Sequence, residues 1–255
     1  MSARPRLEDA LLGGAGILGL LLLWELMARI GVVSPAIFPP PSTALGAAFA
    51  KMTPAEILGH VGISLQRILL GFLAGGGLGL AIGIASGWYR ALDVITRPLI
   101  ELLRPIPPLA WIPIAIIWLG LDEASKVFII ALAAFFPLVT NAYRGMTAID
   151  PMILRAAQMM DVRGPALLFR VALPAAAPDI ATGLRIGWGL SFSILVAAEL
   201  IAADEGLGFL IMNARHYGEV GIIVFGILLI GTTNLVTDYL LAALIRRRIG
   251  RWHPV

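Results

Sequence analysis

Residues Arg155–Pro174, RAAQMMDVRGPALLFRVALP, form a polar interruption in a chain that is otherwise apolar almost throughout. Arg155, Asp161, Arg163 and Arg170 make the stretch too polar to lie across a bilayer, where each central charge costs about 2.5–3.5 kcal/mol. Strongly apolar segments flank it on both sides. The pattern predicts a short helix held at the water interface and ended by the Leu173-Pro174 pair. Upstream, Asp150-Pro151 has the form of a helix start, with aspartate as N-cap and proline at the first helical position. Met152, Ile153, Ala156, Ala157, Met159 and Met160 then give a small, pliable apolar surface with arginines around it. Such a surface suits the cleft of a soluble partner; a partnerless amphipathic surface helix is the other reading.

Working outward, the 255 residues are 59% hydrophobic and 14% charged, with a mean hydropathy of +0.90. That composition belongs to an integral membrane protein rather than to a soluble domain with a large core. The length suits a handful of spans in a single transmembrane domain over residues 1–255, with the interfacial loop at about 150–178. The net charge of +3 argues for no nucleic-acid partner, because the basic residues are scattered or flank apolar spans. The absence of cysteine removes disulfide and thiol chemistry. Arg4 and Arg6 precede an apolar run from Ala10 to about Met27. It is longer than a signal-peptide core and lacks a clear cleavage site, so it reads as an uncleaved first span.

A bilayer core asks for about 20 apolar residues per helix. Six candidates result, at about 10–29, 64–88, 106–121, 126–143, 182–203 and 221–245, the third being short. The fold class expected is therefore all-α and polytopic. Pro105, Pro107, Pro108 and Pro113 sit at the start of the third span, and the backbone there should be buried in protein or line a cavity. Six spans put both termini on one side with Arg90, Arg97, Arg104, Arg144, Arg155, Arg163, Arg170, Arg246, Arg247, Arg248 and Arg251. Arg29, Lys51, Lys126 and Arg215 fall on the other, with Arg67 near the membrane edge. By the positive-inside rule the termini and the 150–178 loop are cytoplasmic. Gly71, Gly75, Gly79, Gly83 and Gly87 recur every fourth residue, a row that permits close helix approach within the chain or between subunits.

Chemistry is sparse. Neither of the two lysines, Lys51 and Lys126, follows glycine, so no Walker A phosphate loop exists. Any ATP and Mg would be bound by a partner. His60, His216 and His253 have no metal-ligand spacing, and no nucleophile elbow occurs. The reading is no catalytic residue, no metal and no cofactor in this chain. Glu199, toward the outer end of the fifth span, is a candidate for the translocation path, or else an interhelical hydrogen bond. Arg185 either snorkels to the interface or attracts a leaving anion. Glu25 is placed to pair with Arg29 at i+4.

The 155–174 stretch resembles the EAA loop of permease subunits of bacterial ABC importers: Glu-Ala-Ala, a Gly four residues later, then Ile-x-Leu-Pro. Ala156, Ala157, Val171, Leu173 and Pro174 match in spacing, while Arg155 replaces Glu and Asp161 replaces Gly. Ala181–Ile211, ATGLRIGWGLSFSILVAAELIAADEGLGFLI, is similar to the nitrate/sulfonate/taurine branch of these permeases. The resemblance implies a type I importer permease in a bacterial inner membrane. It would work as a homodimer with two ABC ATPase subunits and an extracytoplasmic substrate-binding protein, in alternating access. Arg155, Ala156, Ala157, Met160, Asp161, Gly164, Leu173 and Pro174 would form the ATPase-docking loop, and Asp204–Val220 would meet the binding protein. Where the family has a glycine able to take positive φ, Asp161 is one of few tolerable substitutes. Taurine or an alkanesulfonate is the leading substrate class. Nitrate, bicarbonate, a vitamin precursor, an aromatic acid, an ATPase-independent carrier and a membrane scaffold are the alternatives.

Overall fold

Apolar length becomes helix throughout the computed structural model of this protein, which describes the backbone of residues 7–32 and 34–249 and side chains over 12–32, 34–201 and 203–247. Arg4, Arg6, Arg251, His253 and the Arg248 side chain, invoked above, lie outside the described residues. The elements are α1 (Leu7–Arg29), α2 (Pro41–Lys51), α3 (Pro54–Gly71), α4 (Gly77–Trp88), α5 (Arg90–Leu103), α6 (Ile112–Leu119), α7 (Glu123–Thr147), α8 (Pro151–Met159), α9 (Pro165–Leu167), α10 (Leu173–Ala202), α11 (Leu207–His216) and α12 (Val220–Ile249). No strand occurs among the described residues.

Five helical runs are long and apolar enough to cross a membrane: Leu12–Arg29, Pro54–Trp88, Glu123–Thr147, Pro165–Ile201 and Val220–Arg247. The third expected span, 106–121, is not a straight helix. It is one limb of a pair, Arg90–Leu103 and Pro108–Leu119, bent by 86°. Prolines limit the α-helical part to the eight residues of α6, preceded by a 3₁₀ turn at Pro108–Trp111. Eight residues rise about 12 Å, well under half a bilayer core.

The fifth expected span begins earlier than residue 182. Pro174 does not end a helix: α9 and a π turn at Leu168–Ala172 run directly into α10, with Pro174 as its second residue. The Leu173 N–H donates to the Leu168 carbonyl, five residues back. This wider turn accommodates a proline that has no N–H to give and whose ring would crowd an ordinary α turn.

Two compact units divide the chain: residues 1–64 with 203–235, and residues 65–202 with 236–253. In the first unit, Ala44, Ala48, Ile57, Val224 and Phe225 form a core joined by Trp24 and Met52. A second cluster holds Leu210, Ala214 and Ile222. Trp24 stacks on Phe38 at 4.6 Å. Glu25 accepts from Arg29 Nε at 2.8 Å, as expected, and also from the Ser42 hydroxyl at 2.6 Å, tying α1 to α2.

In the second unit α7 is the central element. Ile68, Phe72, Ile130, Ala134, Leu138, Trp188, Phe192 and Leu195 make the core around it. The glycine row packs on α7 of the same chain. A methyl at Gly79 or Gly83 would come within 2.5 Å of the Phe135 or Val139 carbonyl oxygen, and Gly75 fits against Ala131. Gly71 meets Ile130 and Gly87 meets Met146. Both partners advance together along the row, so α3–α4 and α7 run parallel. The chain between Trp88 and Glu123 must therefore return through the membrane thickness, which makes the bent pair the missing crossing. α10 is antiparallel to α7, with Gly145 against Ala176 and Gly187 against Leu138. Trp188 Nε1 donates to Thr237 Oγ1 at 3.3 Å and Arg185 pairs with Asp238. α12 thus runs antiparallel to α10 and brings Arg246 and Arg247 to the end of the unit that carries α8.

Candidate coupling loop, ion network and membrane cavities

The loop between α7 and α10 is built from local rules. Asp150 Oδ1 accepts from the Met152 N–H at 2.8 Å, and Pro151 opens α8. At the other end Val162 N–H donates to Ala157 O at 3.0 Å and Asp161 N–H to Gln158 O at 3.0 Å. That pair of bonds closes a helix only if the residue after the cap is left-handed. Asp161 is that residue, at φ 62; among the described residues it is the one non-glycine with positive φ. Gly164, at φ 56, makes the next bend and delivers Pro165 to α9. Beneath the loop, Leu154 and Ile149 pack with Met146, Ala172 and Ala176.

This anchoring decides which expected docking residues are presented. Met152, Met159 and Met160 are 75%, 89% and 80% exposed, and Arg155, Ala156, Asp161 and Gly164 are exposed beside them. Ala157 is turned inward and buried, so it belongs to the packing of the loop rather than to its outer face. Leu173 and Pro174 are half-buried at the head of α10.

Toward the opposite end of α7 lies a network that the sequence reading missed. Arg67, placed above near the membrane edge, is only 2% exposed. Its Nε and Nη2 donate to Glu123 at 2.6 Å each, and its Nη1 donates to Glu199 at 2.7 Å. Lys126 Nζ donates to Glu123 at 2.8 Å. Arg67 and Lys126 with Glu123 and Glu199 thus join α3, α7 and α10. Glu199 is fully buried among them. The usable signal was four charges, Arg67, Glu123, Lys126 and Glu199, in or beside apolar runs, since intramembrane charges pair with one another. Arg185, the other expected path residue, is also paired: its Nη2 donates to Asp238 at 2.9 Å.

His60 Nδ1 accepts from the Gly206 N–H at 3.1 Å, and Ser64 Oγ accepts from Leu207 at 2.9 Å. Together they cap α11 within the Asp204–Val220 segment. His216 is exposed. Among the described residues no group of three or more His, Asp or Glu side chains is placed to hold a metal.

Several cavities open in the second unit, among them three lined in part by polar side chains. One of about 350 Å³ is lined by Arg104, Phe136, Pro137, Thr140, Asn141 and Ile186, among others. Another of about 350 Å³ holds Thr182, Arg185, Ile186 and Asp238. A third of about 220 Å³ mixes charges, with Asp93, Arg97, Glu101 and Tyr143 beside Arg104 and Thr140.

Relatives match almost the whole chain. It is 38% identical over 239 residues to the taurine transport system permease protein TauC of Escherichia coli, covering 92% of this chain and 86% of that one. It is 32% identical over 259 residues to the bicarbonate transport system permease protein CmpB of Synechococcus elongatus, covering 95% and 91%. A Bacillus subtilis chain, SsuC, provisionally described as an aliphatic sulfonates transport permease, is 34% identical over 91% of this chain and 84% of its own. Residues 75–250 match the family described as binding-protein-dependent transport system inner membrane component. This multi-pass membrane protein belongs to that family, the permease subunits of ABC importers.

Proposed function

We propose that the chain is the pore-forming subunit of an ATP-driven importer of a small oxyanion, with taurine or an alkanesulfonate as the leading substrate and bicarbonate next. The observation that carries the coupling half of this reading is α8. It is capped by Asp150, turned by Asp161 in a left-handed conformation, and with its C-cap presents three exposed methionines, with Arg155 and Arg163 exposed in the same loop. Flexible thioether side chains suit a cleft that opens and closes on a moving partner. That partner is a separate ABC ATPase, present as a dimer beneath two copies of the permease, and it holds ATP and Mg. Arg155, Ala156 and Met160 make the contact, while Ala157, Leu173 and Pro174 hold the loop rigid against α7 and α10.

The substrate half rests on the relatives' activities: two are named for taurine and bicarbonate transport and a third provisionally for aliphatic sulfonates, all small oxyanions. An extracytoplasmic binding protein delivers the substrate at the Asp204–Val220 segment that carries α11. Both termini and α8 face the cytoplasm, in accord with Arg246 and Arg247 sharing the α8 end of the second unit. In this reading Arg67 and Glu199 clamp the helices, and Arg185 with Asp238 borders the path.

The test is affinity purification of the chain in mild detergent from its native host. An ATP-hydrolysing subunit recovered in equal amount, together with uptake of taurine or bicarbonate when the complex and its binding protein are reconstituted in vesicles, is the expected result. A chain that purifies without an ATPase, or that moves substrate alone, overturns the reading.

A further inference from the structure

We propose that Arg104, Thr140 and Asn141 form an oxyanion-contacting station inside the membrane, in the cavity of about 350 Å³ between the α5–α6 bend and α7. The proposal rests on the permease reading above and names residues that would contact substrate within the pore. Four observations converge on this cavity.

Position comes first. Thr140 lies within the apolar run 126–143, seven residues before the end of α7, and the exposed Arg104 lines the same cavity beside it. An ionisable side chain lining a cavity among membrane-spanning helices points to function. Charge comes second. Among the described residues no carboxylate lines this cavity, while Arg104 and Thr140 also border the adjoining one that holds Asp93 and Glu101; Arg104 forms no ion pair there, whereas Arg185 is paired with Asp238, Arg97 with Glu101 and Arg67 with Glu123 and Glu199.

Donor chemistry is the third observation. Arg104 brings five N–H donors, Thr140 a hydroxyl, and Asn141 one Nδ2 hydrogen beyond the bond it makes to the Pro137 carbonyl at 2.8 Å. A planar cation beside neutral donors suits a carboxylate, bicarbonate or sulfonate head. Phe136 and Ile186 offer an apolar wall for a short alkyl chain. Backbone is the fourth. Pro137 has no N–H for the Ala133 carbonyl, and both residues line this cavity; irregular membrane backbone is tolerated where it faces protein or a cavity.

The chain has no cysteine, which permits a direct test in the complete transporter. The permease, its ATPase and its binding protein are reconstituted in vesicles, and uptake of labelled taurine, methanesulfonate and bicarbonate is followed for wild type, Arg104→Gln, Arg104→Lys and Arg104→Cys. Loss of one charge-assisted contact should lower uptake of the transported anion about tenfold in Arg104→Gln, with Arg104→Lys retaining most of it. Treating Arg104→Cys permease, before assembly, with an amine-bearing methanethiosulfonate should restore uptake, and a sulfonate-bearing reagent should not. An arginine that acted only by packing would not distinguish the two reagents. Co-purification with the ATPase reports that each variant has folded.

Wild-type uptake in Arg104→Gln, or equal behaviour of the two thiol reagents, overturns the station while leaving the permease reading intact. Wild-type vesicles that retain the ATPase yet take up none of the three anions overturn the anion reading, and the station with it.

Discussion

At Asp161 one residue carries two demands. The turn out of α8 needs a left-handed backbone, at φ 62 here, and the exposed side chain pairs with Arg163 at 3.2 Å. An L-residue in that conformation costs about 1–2 kcal/mol relative to glycine, less for Asp or Asn. Asp161→Gly should therefore be neutral or stabilising in a detergent melt. Asp161→Val, β-branched, should lose about 1–2 kcal/mol and release the loop, seen as faster proteolysis between Met160 and Gly164. Next to it, Ala156 and Ala157 differ in sequence by one position but in fate entirely. Ala156→Glu, exposed, should abolish recovery of the ATPase with an unchanged melting point, whereas Ala157→Glu, buried, should lower the melting point as well. Equal effects of the two would remove the distinction between docking face and loop core.

Helix pairing shows the same physics at the next scale. The glycine row lets α3–α4 approach the α7 backbone so closely that no side chain fits between them. Gly79→Leu should cost about 1–3 kcal/mol or more through forced separation. Gly77→Ala, which faces open space, should be neutral or gain up to about 1 kcal/mol from helix propensity. Thermal midpoints of the two variants check this directly. The Arg67–Glu123–Glu199 network fastens the far ends of the same helices. Glu199→Gln removes one partner of a buried cation and should cost about 3–5 kcal/mol. Arg67→Met combined with Glu199→Leu should recover much of that loss, because the desolvation cost disappears with the charges. A double variant no better than the single one would show that the network does more than clamp.

For the molecule as a whole, the parallel course of α4 and α7 makes the α5–α6 pair a crossing and gives an even number of passages. Arg155→Cys should then react with an impermeant maleimide from the cytoplasmic side only, and Tyr217→Cys, at a residue 74% exposed, from the outer side only. Labelling of both from one face would overturn the topology. The all-helical architecture, most span positions and the N-cap at Asp150 were legible because each depends on local composition or on a few adjacent residues, and the positive φ at Asp161 followed from the family's glycine at that position.

Three features were not legible. Pro174 reads as a terminator, yet a π turn carries the helix through it. The run 106–121 reads as a span, yet its prolines leave one limb of a bend. Arg67 and Glu199 are 132 residues apart; Arg67 reads as a charge at the membrane edge, Lys126 as an outer-side charge and Glu199 as a path residue or an interhelical hydrogen bond, with nothing to name their partners or to single out Glu123.

Hydrophobicity and backbone propensity act over a few residues at a time, and through them the sequence alone determined that this protein is a helical membrane protein with a polar interfacial loop, while its resemblance to a permease family supplied the class. Pairing of buried charges and the shape of a cavity depend on which helices become neighbours. Only the tertiary structure decided that Glu199 belongs to a clamp, that Ala157 faces inward, and that Arg104 is the charged wall of a cavity without a carboxylate.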